Sequence, residues 1–321
     1  MHSFQELSKI FEEKFNKSHF PLTPDSLYQP AEYILQLGGK RIRPVMCLMG
    51  NELVSEINAC TYHLATAIEL FHNFTLIHDD IMDKAPLRRG LATVHTKYGD
   101  ATALLAGDVM LVMAYEYLNK IEGDILHKVL NIFNKTAREV CEGQQLDMNF
   151  EKQDVVSFDD YLSMIQLKTS VLLAASLQLG SLLGGAGGGN QQHLYEFGKN
   201  LGIAFQVQDD YLDAFGDPGK FGKQKGGDIV ASKKTFLSIH ALEVATGNTL
   251  KKLKELLNSN SVDKVDKMIE IYKECDVDDW AKKLKEKYLQ TALHHLEKIA
   301  VVSIRKKPLL ELAEYLIHRE N

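Results

Sequence analysis

Two short aspartate clusters are the residues in this sequence whose types and spacing could do metal chemistry. Both follow the pattern Asp-Asp-x-x-Asp, and their carboxylates belong to Asp79, Asp80, Asp83, Asp209, Asp210 and Asp213. On a helix, the first and third members of such a cluster stand four positions apart and share a face. Carboxylates this close raise one another's pKa unless a cation joins them, and hard oxygen ligands suit Mg²⁺. Each cluster therefore predicts a Mg²⁺ site.

A single cluster of this kind is equally consistent with a solvated acidic helix face. The first cluster, however, follows the apolar stretch FTLI, and the second repeats the pattern after another apolar helical stretch. The clusters begin 130 positions apart (209 − 79). In a helical bundle they could face each other across a cavity and hold several Mg²⁺ ions around one diphosphate. The repetition favours metal binding.

Basic residues stand close to both clusters and in a glycine-containing segment near the N-terminus. They are Arg88 and Arg89, Lys223 and Lys233, and the three cations of GGKRIRP, which are Lys40, Arg41 and Arg43. Paired guanidinium groups can grip a diphosphate, and glycines permit close backbone approach. The charges suit two diphosphates, one held through metal and one held directly by Lys and Arg.

The elements that must position these side chains are predicted to be helices. Apolar residues recur three and four positions apart in 64–74, 103–118 and 250–257, and no run alternates long enough to predict a sheet. No linker composition divides the chain. We therefore expect an all-α bundle of about ten to twelve helices that forms a single domain over residues 1–321.

Composition limits the class of protein. Apolar residues make up 45% of the 321 positions, and the net charge of −6 gives no basic excess for binding nucleic acid. The four cysteines lack C-x-x-C spacing and are interpreted as buried thiols in a reducing compartment. The longest apolar run, 171–183, is too short and too polar to cross a bilayer. With no signal-peptide pattern at its N-terminus, we expect a soluble cytoplasmic protein without a transmembrane segment.

Seven motifs in order resemble those of the trans-isoprenyl diphosphate synthases, the polyprenyl synthetase family, and in particular its short-chain members. The motifs are GGKRIRP, HDDIMD with LRRG, GQQLD, LKTS, FQVQDDYLD, GKQKGGD and SKKT. The resemblance implies an isoprenoid synthase helical bundle around a central cavity, three Mg²⁺ ions per active site and usually a homodimer. The implied substrates are isopentenyl diphosphate and an allylic diphosphate, which could be dimethylallyl, geranyl or farnesyl diphosphate.

The resemblance also implies individual roles. It makes the six aspartates Mg²⁺ ligands, with Asp213 the weaker one. Contacts to the allylic diphosphate are implied for Arg88, Lys168, Lys223 and Lys233. The pocket for isopentenyl diphosphate is implied for Lys40, Arg43, His72 and Arg89. Thr169 and Gln206 stand where the family stabilises the developing allylic cation or positions the departing group.

The implied reaction follows from these groups. Mg²⁺ and cationic side chains neutralise the leaving diphosphate, so the allylic C–O bond ionises. The double bond of isopentenyl diphosphate then attacks the cation, and the released diphosphate takes the proton. This sequence departs from the family pattern at Ala92, where proline is frequent, and at Ser232, where glycine is usual. Both departures predict changes of loop geometry and leave the charged groups intact.

Product length is predicted from the residues just before the first cluster. Phe74 and Thr75 lie five and four positions before Asp79, about 6 to 7.5 Å below it along a helix. Phe74 could form a floor that stops the growing tail, or it could be an ordinary core aromatic. An aromatic residue here resembles short-chain synthases, notably the geranylgeranyl type. We therefore expect a C15 to C20 product, with C20 favoured.

Three alternatives share parts of this pattern. A class I terpene cyclase usually replaces the second cluster with an Asn/Asp-Asp-x-x-Ser/Thr-x-x-x-Glu pattern. A non-catalytic regulatory subunit commonly loses one cluster, and a long-chain polyprenyl synthase would carry small residues at both floor positions. A di-iron site on Glu69-x-x-His72 fails because the sequence has no second Glu-x-x-His.

Overall fold

Helices form almost all of the secondary structure in residues 1–216, 226–259 and 261–317, which are the residues that this computed structural model describes. The α-helices are α1 Phe4–Phe15, α2 Asp25–Gln36, α3 Ile42–Glu52, α4 Ala59–Met82, α5 Val94–Tyr98, α6 Asp100–Leu118, α7 Ile125–Glu151, α8 Phe158–Ile165, α9 Val171–Leu183, α10 Gly188–Phe215, α11 Gly227–Val230, α12 Phe236–Val244, α13 Gly247–Leu257, α14 Lys264–Glu274, α15 Val277–Lys298 and α16 Ser303–Ile317. A π-helical turn, Gln166–Ser170, joins α8 to α9. The predicted all-α class is confirmed.

The first helix shows how the sequence specifies these elements. Ser3 and Glu6 form a capping box that satisfies the first backbone N–H groups of α1. The buried residues Leu7, Phe11 and Phe15 then recur at helical spacing. The described residues hold more helices than the expected ten to twelve, because helices as short as α5 and α11 are too brief to show periodicity.

The described part of the chain groups into two compact units, each built from several stretches. Unit 1 comprises Met1–Lys135, Ala175–Tyr195 and Ile299–Leu309, and unit 2 comprises the described residues of Thr136–Ala174, Glu196–Lys298 and Leu310–Asn321. The single domain over residues 1–321 stays a prediction.

Close helix packing in unit 1 depends on two glycines. A Cβ on Gly180 would lie 1.9 Å from the carbonyl oxygen of Cys47, and a Cβ on Gly50 would lie 2.4 Å from that of Leu177. No side chain fits at either point, so α3 and this part of α9 approach backbone to backbone. The contact fixes α3, whose first turn carries Arg43.

Two continuous helices, Asp100–Leu118 and Phe158–Leu183, are long and apolar enough to cross a membrane by length and composition alone. In the second, 61% of the most apolar window is buried inside the protein, as in a core helix. In the first, only 33% is buried, so much of its apolar surface is exposed. The absence of a transmembrane segment stays a prediction.

All four cysteines are free thiols, as the sequence predicts. Cys47 is buried, but Cys141 is exposed, so the expectation that all four are buried is wrong.

Candidate active site

The first aspartate cluster lies at the C-terminus of α4 in unit 1. Asp83 directly follows the helix and still donates its N–H to the carbonyl of Asp79, at 2.9 Å, so these two residues stack as predicted. Asp80 is buried, and Arg88 holds it with two parallel hydrogen bonds of 2.8 Å. The same guanidinium lies 3.6 Å from the carboxylate of Asp79. Arg88 is therefore part of the first cluster.

A short hairpin directs the side chains of Arg88 and Arg89, which follow this cluster, to different partners. Strands β1 Leu87–Arg88 and β2 Leu91–Ala92 pair antiparallel, a small sheet that the sequence did not predict. Arg89 and Gly90 both have positive φ, 54° and 77°, as a two-residue turn with the twist of a hairpin requires. As a result Arg88 meets Asp80 while Arg89 donates to the carbonyl of Gly38.

Residues predicted to bind isopentenyl diphosphate also come together in unit 1. Nη1 of Arg43 lies 3.1 Å from Nε2 of His72. Gly39 has φ +143°, and a Cβ there would lie 2.8 Å from the Arg89 guanidinium, so only glycine allows this approach. Lys40 is exposed beside them. The structure thus pairs Arg43 with His72 and brings Arg89 to the loop 38–41, which carries Lys40.

The electrostatics of this group favour an anion. Burial, and then the positive charges of Arg43, Arg88 and Arg89, lower the pKa of His72 well below its ordinary value. Burial also lowers the pKa of Arg43 to about 10, with the charge of Glu69 acting in the opposite direction. Nε of Arg43 is buried without a hydrogen-bond partner among the described residues. A neutral imidazole and a charged guanidinium with spare donors suit a diphosphate.

Lys168 and Thr169 lie in the π-helical turn of unit 2. Such turns widen a helix and occur frequently at functional sites. This turn packs between two glycines: a Cβ on Gly143 would lie 2.2 Å from the backbone N of Lys168, and one on Gly202 would lie 2.9 Å from Ser170. Nζ of Lys168 lies 2.6 Å from a carboxylate oxygen of Asp147, one turn after Gly143 on α7. The turn and its lysine are therefore held from α7 and α10.

Gly143→Ala is expected to lower kcat by about a hundredfold, because the new methyl group must displace the backbone of Lys168 and small misplacements of catalytic groups cost this much. Steady-state kinetics with both substrates would measure the loss. Gly187→Ala, where nothing lies within 4 Å, should leave activity unchanged. Gly180→Ala strains a helix contact in unit 1, so an equal catalytic loss in that variant would mean that general destabilisation explains both.

In the second cluster, Asp210 accepts hydrogen bonds from other groups of the protein. It is buried, and its carboxylate accepts hydrogen bonds from Gln206 Nε2 at 2.8 Å, Tyr161 Oη at 3.2 Å and the backbone N–H of Phe236 at 3.3 Å. Phe236 is the first residue of α12, so this bond satisfies an N–H that has no partner within the helix. Burial and the charge of Asp228 raise the pKa of Asp210 well above its usual range. Asp210 therefore orients Gln206, one of the predicted catalytic residues.

Asp213 also has a structural role. Its two carboxylate oxygens accept the backbone N–H groups of Gly227 and Asp228, both at 3.1 Å, and its carbonyl accepts that of Gly226 at 2.8 Å. These contacts cap the N-terminus of α11. Asp213 was predicted as the weaker metal ligand of its cluster, and its contacts explain why it would contribute least.

The turn that precedes Lys233 explains one departure from the family pattern. Ser232 has φ 54°, and the bonds Lys233 N–H to Asp228 O and Ser232 N–H to Ile229 O close α11 in a Schellman motif. Glycine suits this left-handed position best. Here the hydroxyl of Ser232 donates a hydrogen bond to the carbonyl of Leu257 at 2.8 Å and accepts one from Nζ of the buried Lys264 at 2.6 Å. Lys223 lies outside the described residues.

Phe74 and Thr75 occupy the predicted positions on α4. Phe74 is 8% exposed, and its ring lies 4.7 Å from that of His78 and 5.6 Å from that of Phe71. The hydroxyl of Thr75 donates to the carbonyl of His72 at 2.7 Å. Burial of this kind fits a floor and a core aromatic equally, so the role of Phe74 stays a prediction.

The donor chemistry of both clusters fits Mg²⁺, which prefers carboxylate oxygen and keeps several waters. Within the described ranges, no three His, Cys, Asp or Glu side chains already converge as a metal-binding group. Asp80, Asp210 and Asp213 all bond protein groups. All six aspartates therefore stay the residues we expect to bind Mg²⁺, with Asp213 the weakest ligand.

Three residues of this site were missed from the sequence. The motif GQQLD was recognised, but no role was given to Gly143 or to Asp147, although a spacing of four places both on one face of α7. Tyr161 carries no sequence signal, because its contact with Asp210 joins residues 49 positions apart.

Comparison with known proteins identifies the family. The Polyprenyl synthetase family model matches residues 24–275. The chain is 38% identical to the geranylgeranyl diphosphate synthase of Methanosarcina mazei, over 94% of this chain and 92% of that protein. It is also 38% identical to the geranylgeranyl pyrophosphate synthase of Geoglobus acetivorans, over 99% and 98%. A crystal structure of geranylgeranyl pyrophosphate synthase covers all of both chains with a TM-score of 0.94 and 40% identity. With matches of this extent to both sequence and fold, the chain belongs to the polyprenyl synthetase family of prenyltransferases.

Proposed function

We propose that this prenyltransferase is a geranylgeranyl diphosphate synthase, which adds isopentenyl diphosphate to an allylic diphosphate until the product reaches C20. The observation that carries the proposal is that both aspartate clusters are present, the first with Arg88 bound to Asp80 and the second with Gln206 bound to Asp210. The names of relatives that match nearly the whole chain support the same product. A cyclase, a regulatory subunit and a long-chain synthase are not favoured.

The allylic diphosphate is the leaving group in this proposal. Bound Mg²⁺, three ions per active site, would supply charge neutralisation for that diphosphate. Asp79, Asp80, Asp83, Asp209 and Asp210 would hold the metal, with Asp213 the weaker ligand. Arg88 and Lys168 add positive charge that is already fixed by Asp80 and Asp147, so little reorganisation is needed when the C–O bond breaks.

Gln206 and Thr169 act on the groups next to the reacting carbon. Gln206 is oriented by Asp210, and Thr169 is carried by the π-helical turn, so both are positioned before substrate binds. They orient the departing group and stabilise the positive charge that develops as it leaves. Lys233, and Lys223 by resemblance, complete the contacts to this diphosphate.

Isopentenyl diphosphate binds without metal to Lys40, Arg43, His72 and Arg89. Its double bond attacks the allylic cation and forms the new carbon–carbon bond. One proton is then lost to the released diphosphate, which restores a double bond and leaves an allylic diphosphate longer by one isoprene unit. Burial and the neighbouring arginines lower the pKa of His72, which makes it a weak base, so the released diphosphate is the favoured proton acceptor.

The product is tested by incubating the purified chain with labelled isopentenyl diphosphate and, separately, with dimethylallyl, geranyl and farnesyl diphosphate. Chromatography of the dephosphorylated alcohols should give a C20 product from every starter. Products of C30 or longer would contradict the short-chain proposal. A cyclic hydrocarbon, or no condensation by the isolated chain, would favour a cyclase or a regulatory subunit.

We also propose that the chain forms a homodimer and works in the cytoplasm. Helix α6 exposes apolar side chains along one face, namely Leu104, Leu105, Val112 and Tyr115. A face of this kind is characteristic of a subunit contact. Sedimentation of the purified chain should give twice the monomer mass of 36.2 kDa. The four free thiols fit a reducing compartment.

A further inference from the structure

A buried ion pair in unit 1 has no part in the chemistry described above. Nη1 of Arg41 lies 2.5 Å from a carboxylate oxygen of Glu69, and both side chains are less than 10% exposed. Nη2 of Arg41 also donates to the carbonyl of Leu35 at 2.7 Å. The pair joins the loop before α3 to the middle of α4.

The backbone of Arg41 is itself unusual. It has φ 48°, in the left-handed region that non-glycine residues avoid, and it follows Gly38 and Gly39, which also have positive φ. Gly38 and Gly39 adopt positive φ without strain, so Arg41 is the residue of this loop whose conformation must be maintained by its contacts. Arg89 anchors the start of this loop at Gly38, and the Arg41–Glu69 pair anchors its end.

Glu69 belongs to a face of α4 that continues to the isopentenyl pocket. Nδ2 of Asn73 donates to the same Glu69 oxygen at 2.9 Å, so the carboxylate is fixed from both sides. His72, three positions after Glu69, lies on the same face and meets Arg43 at 3.1 Å. Arg41 thus contacts Glu69, and Arg43 contacts His72, so two successive contacts join residues 41–43 to α4.

A contribution to fold stability does not by itself explain why this ion pair is present. Removing two charges from water is costly, and apolar residues of similar size usually serve stability as well or better. A left-handed arginine adds a further cost. The pair instead fixes the position of the loop relative to α4, because a charged pair with fixed donors forms in one alignment of loop and helix only.

We propose that Arg41 and Glu69 are positioning residues for isopentenyl diphosphate, which set the distance between Arg43 and His72 that the diphosphate requires. The negative charge of Glu69 also allows Arg41, Arg43 and Arg89 to stand together before the substrate arrives. The inference rests on the proposed binding roles of Arg43 and His72.

The test is Glu69→Gln, which keeps the size of the side chain and one acceptor oxygen but removes the charge. We expect the KM for isopentenyl diphosphate to rise about tenfold, with kcat and the KM for the allylic substrate changing less than about threefold. The matched control is Glu52→Gln, which breaks the ion pair between Glu52 and His2 in the same unit, and it should leave all three parameters unchanged. Thermal unfolding of both variants would show whether they are folded.

Two arginine variants keep the inference testable if Glu69→Gln unfolds. Arg41→Lys retains the charge and should raise the isopentenyl KM less than Arg41→Gln does. Equal changes in both substrates' KM values, or a fall in kcat alone, would overturn a positioning role. If Arg43→Gln raises the isopentenyl KM but Glu69→Gln does not, this inference fails and the proposed pocket stands. If neither variant changes it, the pocket assignment itself fails, and the inference with it.

Discussion

Asp209→Asn is expected to lower kcat by about a thousandfold, because losing one charged metal ligand removes several kcal/mol of charge stabilisation from the step that breaks the C–O bond. The other two aspartates of its cluster accept hydrogen bonds from other groups of the protein. Asp210 binds Gln206, Tyr161 and the N-terminus of α12, and Asp213 caps α11. We expect Asp209 to be a metal ligand and Asp213 to contribute least to metal binding.

The matched comparison is Asp213→Asn. The amide keeps one acceptor oxygen for the cap of α11 and loses the other, so we expect a loss of about 1 kcal/mol in the free energy of unfolding and less than a tenfold change in kcat. Activity measured against Mg²⁺ concentration separates the two roles. The midpoint should rise strongly in the Asp209 variant and stay unchanged in the Asp213 variant. An equal shift in both would identify Asp213 as a full metal ligand.

The contrast between these two residues shows how far the sequence alone can predict the site. Its pattern predicts all six carboxylates as candidate ligands, because spacing on a helix is a local property. The partners of Asp210 and Asp213 are not local: Tyr161 lies 49 positions away, and Gly227 lies 14 positions away. No periodicity connects such residues, so the sequence gives no sign of the protein groups that Asp210 and Asp213 bind.

The fold shows the same division. The long amphipathic helices follow from periodicity, and α1 even carries its capping box in the sequence. The π-helical turn at Lys168 does not, because it depends on Gly143 and Gly202, which lie on two other helices. Likewise, Ser232 at its positive φ is held by Leu257 and Lys264, 25 and 32 positions away, in addition to the local Schellman bonds.

Phe74→Ala is expected to lengthen the main product by about one or two isoprene units, because it removes the largest side chain one helical turn below Asp79. Growth should then stop at the next rings. Phe71 lies 5.6 Å from Phe74, and Phe133 packs edge-on against Phe71 at 5.3 Å, and both are almost fully buried. Chromatography of the dephosphorylated products would measure the shift, with the rate of the first condensation largely retained.

Truncating a buried phenylalanine also costs about 3 to 5 kcal/mol of stability, so a change in product must be separated from loosening of the protein. Phe11→Ala is the matched control, since Phe11 is 1% exposed on α1 in the same unit and lies far in sequence from the first cluster. We expect that variant to lose stability and to keep the C20 product. An unchanged product in Phe74→Ala would make this ring an ordinary core aromatic. Longer products from both variants would mean that a weakened core, and not the ring below Asp79, lets the tail extend.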